Sequence, residues 1–102
     1  MRYEIIFAPE AEEDIVALRS NDRAKALDAI ETHLRYEPEK ISKSRIKRLD
    51  AMQWPQYRLR IDNLRAFYDV IYSIEGGTVE ALIVKEKTEA MNWLAAYGRR
   101  LE

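Results

Sequence analysis

The chain is 102 residues long, hydrophobic at 47% of its positions and free of cysteine, which suits a single domain with its own core and excludes disulfides, thiolate metal sites and a cysteine nucleophile. Its formal net charge of -1 hides a segregation: residues 1–39 hold 5 basic and 10 acidic side chains, residues 40–65 hold 8 and 2, and residues 66–102 hold 4 and 6. A strongly positive middle in an otherwise acidic protein is an electrostatic footprint, because a field with a Debye length of roughly 8 Å does not average over the whole molecule.

Residues 2–8 alternate in the manner of a strand, and Pro9 suits the first turn of a helix, where its missing N–H would be unpaired in any case. No apolar signal core follows Met1 and no apolar run is long enough to cross a bilayer, so a soluble protein of the reducing cytoplasm is expected. Glu10, Glu12, Glu13 and Asp14 come next; the helix dipole favours carboxylates there, so the cluster has a structural cause and is not read as a metal site. Ala11, Ile15 and Leu18 give a short helix with one apolar stripe. Ser20-Asn21-Asp22 then breaks the chain and is expected to cap a second helix that carries Leu27, Ile30 and Leu34 on one face and stops before Pro38. The two form a helical hairpin whose stripe needs a sheet to cover it. The sole histidine, His33, lies on the second helix away from the basic segment, and a surface or helix-end role is expected of it in preference to acid–base work.

Residues 39–56 are the least regular and read as a basic loop. Ile46 and Leu49 are expected to pin it to the core while Lys43, Arg45, Lys47 and Arg48 face outward, where they suit phosphate contacts. Trp54 precedes Pro55 and is therefore extended, with anchoring of the loop as its expected use. In the stretch that follows, Tyr57, Leu59 and Ile61 fall on one face of a strand and Arg58 and Arg60 on the other. Asp62-Asn63 reverses the chain and lays Arg65 beside them. Guanidinium groups crowded at one pleat parity repel one another unless something anionic sits among them.

Glu75-Gly76-Gly77 is the next expected turn, with residues 78–84 as the last strand. Thr88 is placed as the cap of a final helix through Tyr97, docked by Met91, Leu94 and Leu101. Gly98-Arg99-Arg100 weakens its end, so this segment is expected to fray or to be displaced by a partner. The order β-α-α-β-β-β-α predicts an α+β fold over residues 1–102: an antiparallel sheet packed against the helical hairpin, with a C-terminal helix.

Within that order, Lys47-Arg48-Leu49, Tyr57-Arg58-Leu59-Arg60-Ile61 and Leu64-Arg65-Ala66-Phe67-Tyr68 resemble the RelE/ParE superfamily of bacterial toxin–antitoxin toxins, over nearly the whole chain. The RelE-like branch is favoured. The resemblance implies the toxin of a type II module: a ribosome-dependent messenger-RNA endoribonuclease that inhibits translation and is neutralised by a cognate antitoxin. It places catalytic cations at Arg58, Arg60, Arg65 and Lys87 and RNA contacts at Lys43, Arg45, Lys47, Arg48 and Trp93. It implies no metal or other cofactor, since cleavage through the ribose 2′-OH needs no activated water. Its partners would be the antitoxin, the ribosome and messenger RNA, with no membrane, and with DNA reached only through the antitoxin. Two alternatives stay open: a ParE-like inhibitor of DNA gyrase, and a non-catalytic protein whose basic sheet receives an acidic antitoxin segment.

The departures from the family pattern are chemical. Where the RelE toxin has lysines on the first meander strand, Arg58 and Arg60 stand here; they keep their protons near neutral pH and serve only to bind and stabilise charge. Trp93 aligns with a tyrosine proposed to move a proton in RelE; it lacks an acidic hydroxyl and is expected to stack on a base. Glu86 and Glu89 are the nearby carboxylates that substitute as proton acceptors on this reading.

Overall fold

Two long antiparallel strands, β5 (Leu64–Ser73) and β6 (Gly76–Glu86), form the spine of the molecule, which a computed structural model describes over residues 1–102. Their Ile, Val, Phe and Tyr content suits a pleated, half-buried surface. They are joined through Ile74-Glu75, with Ser73 opposite Gly76, so the turn sits earlier than Glu75-Gly76-Gly77 and both glycines belong to the strand. Gly77 is required there by packing: a Cβ would lie 2.5 Å from the Tyr3 ring.

Strand β4 (Tyr57–Ile61) pairs antiparallel with β5 across the expected Asp62-Asn63 turn, in which Asp62 takes a left-handed φ of 50°. Strand β2 (Ile46–Arg48) lies outside β4, and β1 (Glu4–Phe7) lies outside β6, where it runs parallel to its neighbour. The order across this sheet is β1-β6-β5-β4-β2. The expected α+β architecture is present, with one parallel pair added to the antiparallel meander.

Helix α1 (Pro9–Ala17) begins at the expected proline and is followed by α2 (Ser20–Leu34). Ser20 is the first residue of α2 and not a cap; the cap position is Arg19, without a side-chain bond. The junction is held from α2 instead. Arg23 donates from Nε to Ile15 O at 3.1 Å and from Nη2 to Val16 O at 3.0 Å and Leu18 O at 2.9 Å, satisfying carbonyls that the end of α1 leaves open. Ala26, Ile30 and Leu34 form the buried stripe of α2, and Leu27, expected on it, is exposed. The hairpin packs these residues and Ile15 against Ile46, Leu59, Ile61, Leu64, Ala66, Tyr68, Val70, Val79 and Val84 on one face of the sheet.

Helix α3 (Lys87–Tyr97) covers part of the opposite face, where Ala90 and Trp93 enclose Phe67 and Ile83, flanked by Leu49, Trp54 and Leu94. Glu86 occupies its cap position, so Thr88 lies inside the first turn; Met91 and Leu101, expected to dock the helix, are exposed. The expected basic loop contains two short strands, β2 and β3 (Met52–Trp54). The expected fraying tail is instead strand β7 (Arg99–Arg100), paired antiparallel with β3, and Leu101 N donates to Ala51 O at 2.7 Å.

Gly98 makes that clasp possible. A Cβ at this position would stand 2.5 Å from Met52 Cε and 2.6 Å from the backbone oxygen of Leu94. The methionine can turn aside; the helix carbonyl cannot. Gly98→Ala is therefore expected to cost about 1–3 kcal/mol, the usual range for overpacking. Hydrogen exchange should show early loss of protection at Arg100 and Leu101, with β5 and β6 still protected.

Candidate functional site

The pleat at β4 and β5 decides which side chains meet. Leu59 opposes Ala66 on the face covered by the helical hairpin, and alternation then sends Arg58, Arg60 and Arg65 to the other. Arg60 is directly opposite Arg65, and Arg58 is opposite Lys47 on one side and Phe67 on the other. Arg65 in turn opposes Lys85 across β6. A cationic surface thus runs over β2 and β4 beside helix α3, and Arg65 on β5 is buried at its border.

None of Arg58, Arg60 and Arg65 has a carboxylate partner. Burial holds the Arg58 guanidinium below the usual arginine value, and the charge of Arg60 adds to this; Arg65 is lowered by burial and then by Arg58 and Arg60. Both remain cations at neutral pH, since arginine titrates far above it. Unit charges about 4 Å apart repel by roughly 1 kcal/mol in bulk water and 4 kcal/mol near a protein surface, so an anion placed among these groups relieves an unfavourable arrangement. Arg58 Nε is buried and has no acceptor within the chain. Arg65 is engaged locally: Nη1 donates to Asp62 O and Leu64 O, both at 2.8 Å, so it shapes the turn as well as charging it.

The other sequence-predicted residues divide by their partners. Lys87 starts α3 at the arginine end of the sheet, its N–H donating to Asn63 O at 2.9 Å and its side chain exposed. Lys43 and Lys47 are exposed. Arg45 donates to Arg60 O at 3.3 Å. Arg48 is committed to structure: Nη1 donates to Gln56 O at 2.6 Å and Leu49 O at 3.1 Å, Nη2 donates to Met52 O at 3.3 Å, and the guanidinium lies 5.5 Å from the Tyr57 ring centre. Trp93, expected as a base-stacking surface, is 8% exposed. Its ring lies 5.4 Å from that of Trp54 and 6.1 Å from that of Phe67, and Nε1 donates to Glu10 Oε1 at 3.2 Å. Trp54 anchors its segment as expected.

Glu86 opposes Leu64, a hairpin-side residue, and lines a cleft with Asp22 and Lys25. It stands on the far face from the arginines, because Lys85 and not Glu86 shares their parity. His33 stands in the last turn of α2, on the hairpin side, and lines a shallow cleft with Tyr36 and Arg45. Glu89 is exposed in the first turn of α3.

Sequence reasoning missed a network on the β6 side. Lys85 Nζ lies 2.7 Å from Asp14 Oδ1 and 3.1 Å from Glu10 Oε2, and Asp14 Oδ2 accepts the Val84 N–H at 3.0 Å. The acids of α1, read as dipole partners, therefore also act on β6: Asp14 caps its free edge, and Glu10 and Asp14 together hold Lys85. Their only sequence signal was the spacing of four between Glu10 and Asp14, which puts both on one helix face.

Asp69 was likewise unremarked. It is 9% exposed and accepts the Gln56 N–H at 2.8 Å; burial raises its carboxyl, against the lowering effects of that bond and of Arg48 and Arg99. A folded-state value above the unfolded one means that the folded protein holds the proton more tightly. Its contribution to stability is then greatest in acid and is lost as pH rises through the carboxylate range. Asp69→Asn keeps an acceptor for Gln56 and removes the titration. The stability of the variant relative to wild type, measured by urea unfolding, is expected to improve from pH 3 to pH 6.

No family model and no curated protein matches the sequence. Solved structures do match. A chain of the toxin–antitoxin complex RelBE2 from Mycobacterium tuberculosis is 22% identical with a TM-score of 0.63, over 85% of this chain and 100% of that one. A chain of the archaeal RelE–RelB complex from Pyrococcus horikoshii is 20% identical with a TM-score of 0.65, over 85% and 97%. The YoeB/ParE toxin from Agrobacterium tumefaciens is 15% identical with a TM-score of 0.63, over 81% and 97%. No helix is long and apolar enough to cross a membrane. With the meander, the hairpin on one face and α3 on the other, the chain has the fold found in these RelE- and YoeB/ParE-type toxin structures.

Proposed function

We propose that the protein is the toxin of a toxin–antitoxin pair and that it cuts messenger RNA on the ribosome. The observation that carries this reading is the cluster of Arg58, Arg60 and Arg65 with no carboxylate partner, and the buried, unpartnered Arg58 Nε within it. The relatedness of fold to proteins crystallised as toxin–antitoxin complexes supports the toxin role and a protein antitoxin as partner.

A phosphodiester is the ligand such a cluster fits. In cleavage through the neighbouring ribose, the 2′-OH gives its proton to solvent water, its oxygen bonds to phosphorus, and the P–O5′ bond breaks as O5′ takes a proton from water, leaving a 2′,3′-cyclic phosphate and a 5′-hydroxyl. Negative charge grows on the phosphoryl oxygens along this path, and fixed cations stabilise it more in the transition state than in the ground state. Arginine presents parallel donors in the geometry of two phosphate oxygens. Arg58 and Arg60 bind and stabilise; Arg65 shapes the turn and adds charge; Lys87 assists from the start of α3. The arginines do not accept the proton.

A ParE-like action on DNA gyrase is the second reading. It is favoured by the YoeB/ParE name of one similar structure and by the position of Glu86 and His33 on the far face, which leaves the patch without either as a proton acceptor. Inducible expression separates the two. RNA ends mapped on translating ribosomes and chromosome breaks are scored in parallel. Codon-positioned cuts within minutes, without breaks, are the expected result; breaks at gyrase sites with intact messages would overturn it.

A further inference from the structure

The cations of the working face are not equivalent, and the difference lies in helix α1. Arg60, Arg65 and Lys85 stand directly opposite one another on β4, β5 and β6, a row crossing three adjacent strands. At the β4 end, Arg60 is exposed, and it, Arg58 and Lys47 have no carboxylate partner. At the β6 end, Lys85 is held by both Asp14 and Glu10 and is largely covered, its side chain 18% exposed. Its bonds to these acids raise its titration above the ordinary lysine value, against the lowering effect of burial.

We propose that Glu10 and Asp14 mask Lys85 and thereby set the inner boundary of the RNA path, so that the strand lies over β4 and β2, across Lys47, Arg58 and Arg60, and is turned away from β6. This rests on the reading of the arginine patch as an RNA site. The masking works in two ways. Two carboxylates cancel the one cation that would extend the row, and their excess negative charge repels a phosphate approaching over β6. Glu10 also fixes this wall to helix α3, since its Oε1 accepts the Trp93 N–H while its Oε2 faces Lys85.

Salt dependence of RNA binding tests the boundary, because each phosphate neutralised on a single strand contributes about 0.7 to the slope of log K against log salt. The probe is a short single-stranded RNA carrying 2′-O-methyl groups, which binds without being cut. Gln at position 10 and Asn at position 14 retain acceptors for Trp93 and Val84, so Glu10→Gln/Asp14→Asn removes charge while keeping those bonds available. This double variant is expected to steepen the slope by about 0.7, so that its advantage over wild type grows about 2.6-fold on dilution from about 200 to 50 mM salt. Lys85→Met alone is expected to leave the slope unchanged, and adding it to the double variant should return the slope to the wild-type value. Glu12→Gln/Glu13→Gln, with the same change in net charge, is expected to leave the slope unchanged.

A double variant with the wild-type slope, a triple variant that keeps the steeper one, or a flatter slope in Lys85→Met would each overturn the boundary while leaving the RNA site standing. Equal steepening by Glu12→Gln/Glu13→Gln would show a net-charge effect and overturn it too. A wild-type protein whose RNA binding is absent or insensitive to salt would instead overturn the RNA reading, and the boundary with it. Thermal unfolding of each variant shows that a common fold is compared.

Discussion

Arg58→Met is expected to abolish growth arrest on expression and to lower RNA cleavage by about 10²–10³-fold, while the folded protein becomes no less stable than wild type. The two halves of this result have one cause. Arg58 is partly buried among like charges with an unpartnered Nε, so the folded state gains little from its charge, whereas on the proposed function the transition state of cleavage gains a great deal. Loss of one pre-positioned donor to a developing oxyanion is worth about 2.7–4 kcal/mol in related chemistry. Methionine fills similar space without the charge. Arg58→Lys should fall between the two, because a point charge remains but the paired donors do not. Cleavage of a defined message on purified ribosomes, with urea unfolding alongside, checks both halves. Cleavage at the wild-type rate would remove Arg58 from the site, and loss of folding in step with activity would make it a structural residue.

The largest effect on stability is expected at Trp93. Trp93→Ala removes a buried indole that touches Trp54, Phe67 and Tyr97 and releases the Glu10 carboxylate. Large-to-small changes of this kind cost about 3–5 kcal/mol, a sizeable share of the roughly 5–15 kcal/mol that holds a domain together. Trp93→Phe keeps most of the ring contact, loses the N–H bond and should retain the fold at reduced stability. Denaturant unfolding resolves the question, because a base-stacking role predicts the opposite pattern: normal stability in the alanine variant and weaker RNA binding. That pattern would displace Trp93 from the core.

What was legible in the sequence is what period and backbone sterics write locally. The alternation at Tyr57–Ile61 placed Arg58 and Arg60 on one face, Asp62-Asn63 gave the reversal, and Pro9 marked the start of α1, all without knowledge of any distant partner. The errors fall where a distant partner decides. The base-stacking role expected of Trp93 follows from its alignment with a RelE tyrosine, and nothing near it in the sequence announces Phe67 or Glu10. The stripe of α2 was assigned to Leu27 because leucine is the stronger apolar signal, whereas the close approach of the sheet selects Ala26. Two-residue strands such as β7 have no periodicity to detect, so Arg99 and Arg100 read as a loose tail. Lys87 enters the site through the family resemblance, and Lys85 has no such signal because its pairing with Asp14 depends on the sheet edge and not on any motif.

The parallel placement of β1 against β6 also bears on the order in which the protein folds. Residues 4–7 find their partners only at 78–81, and β3 finds its partner only at 99–100. A chain still being synthesised makes neither pairing until those residues have emerged, and contacts so far apart in sequence are slow to form. The hairpin that carries Arg58, Arg60 and Arg65 pairs locally, but β6 and α3, which enclose it, follow it in the chain. The pairing of β1 thus waits on β6 and that of β3 on β7, so the β4–β5 hairpin stands for an interval during synthesis without the neighbours that enclose it.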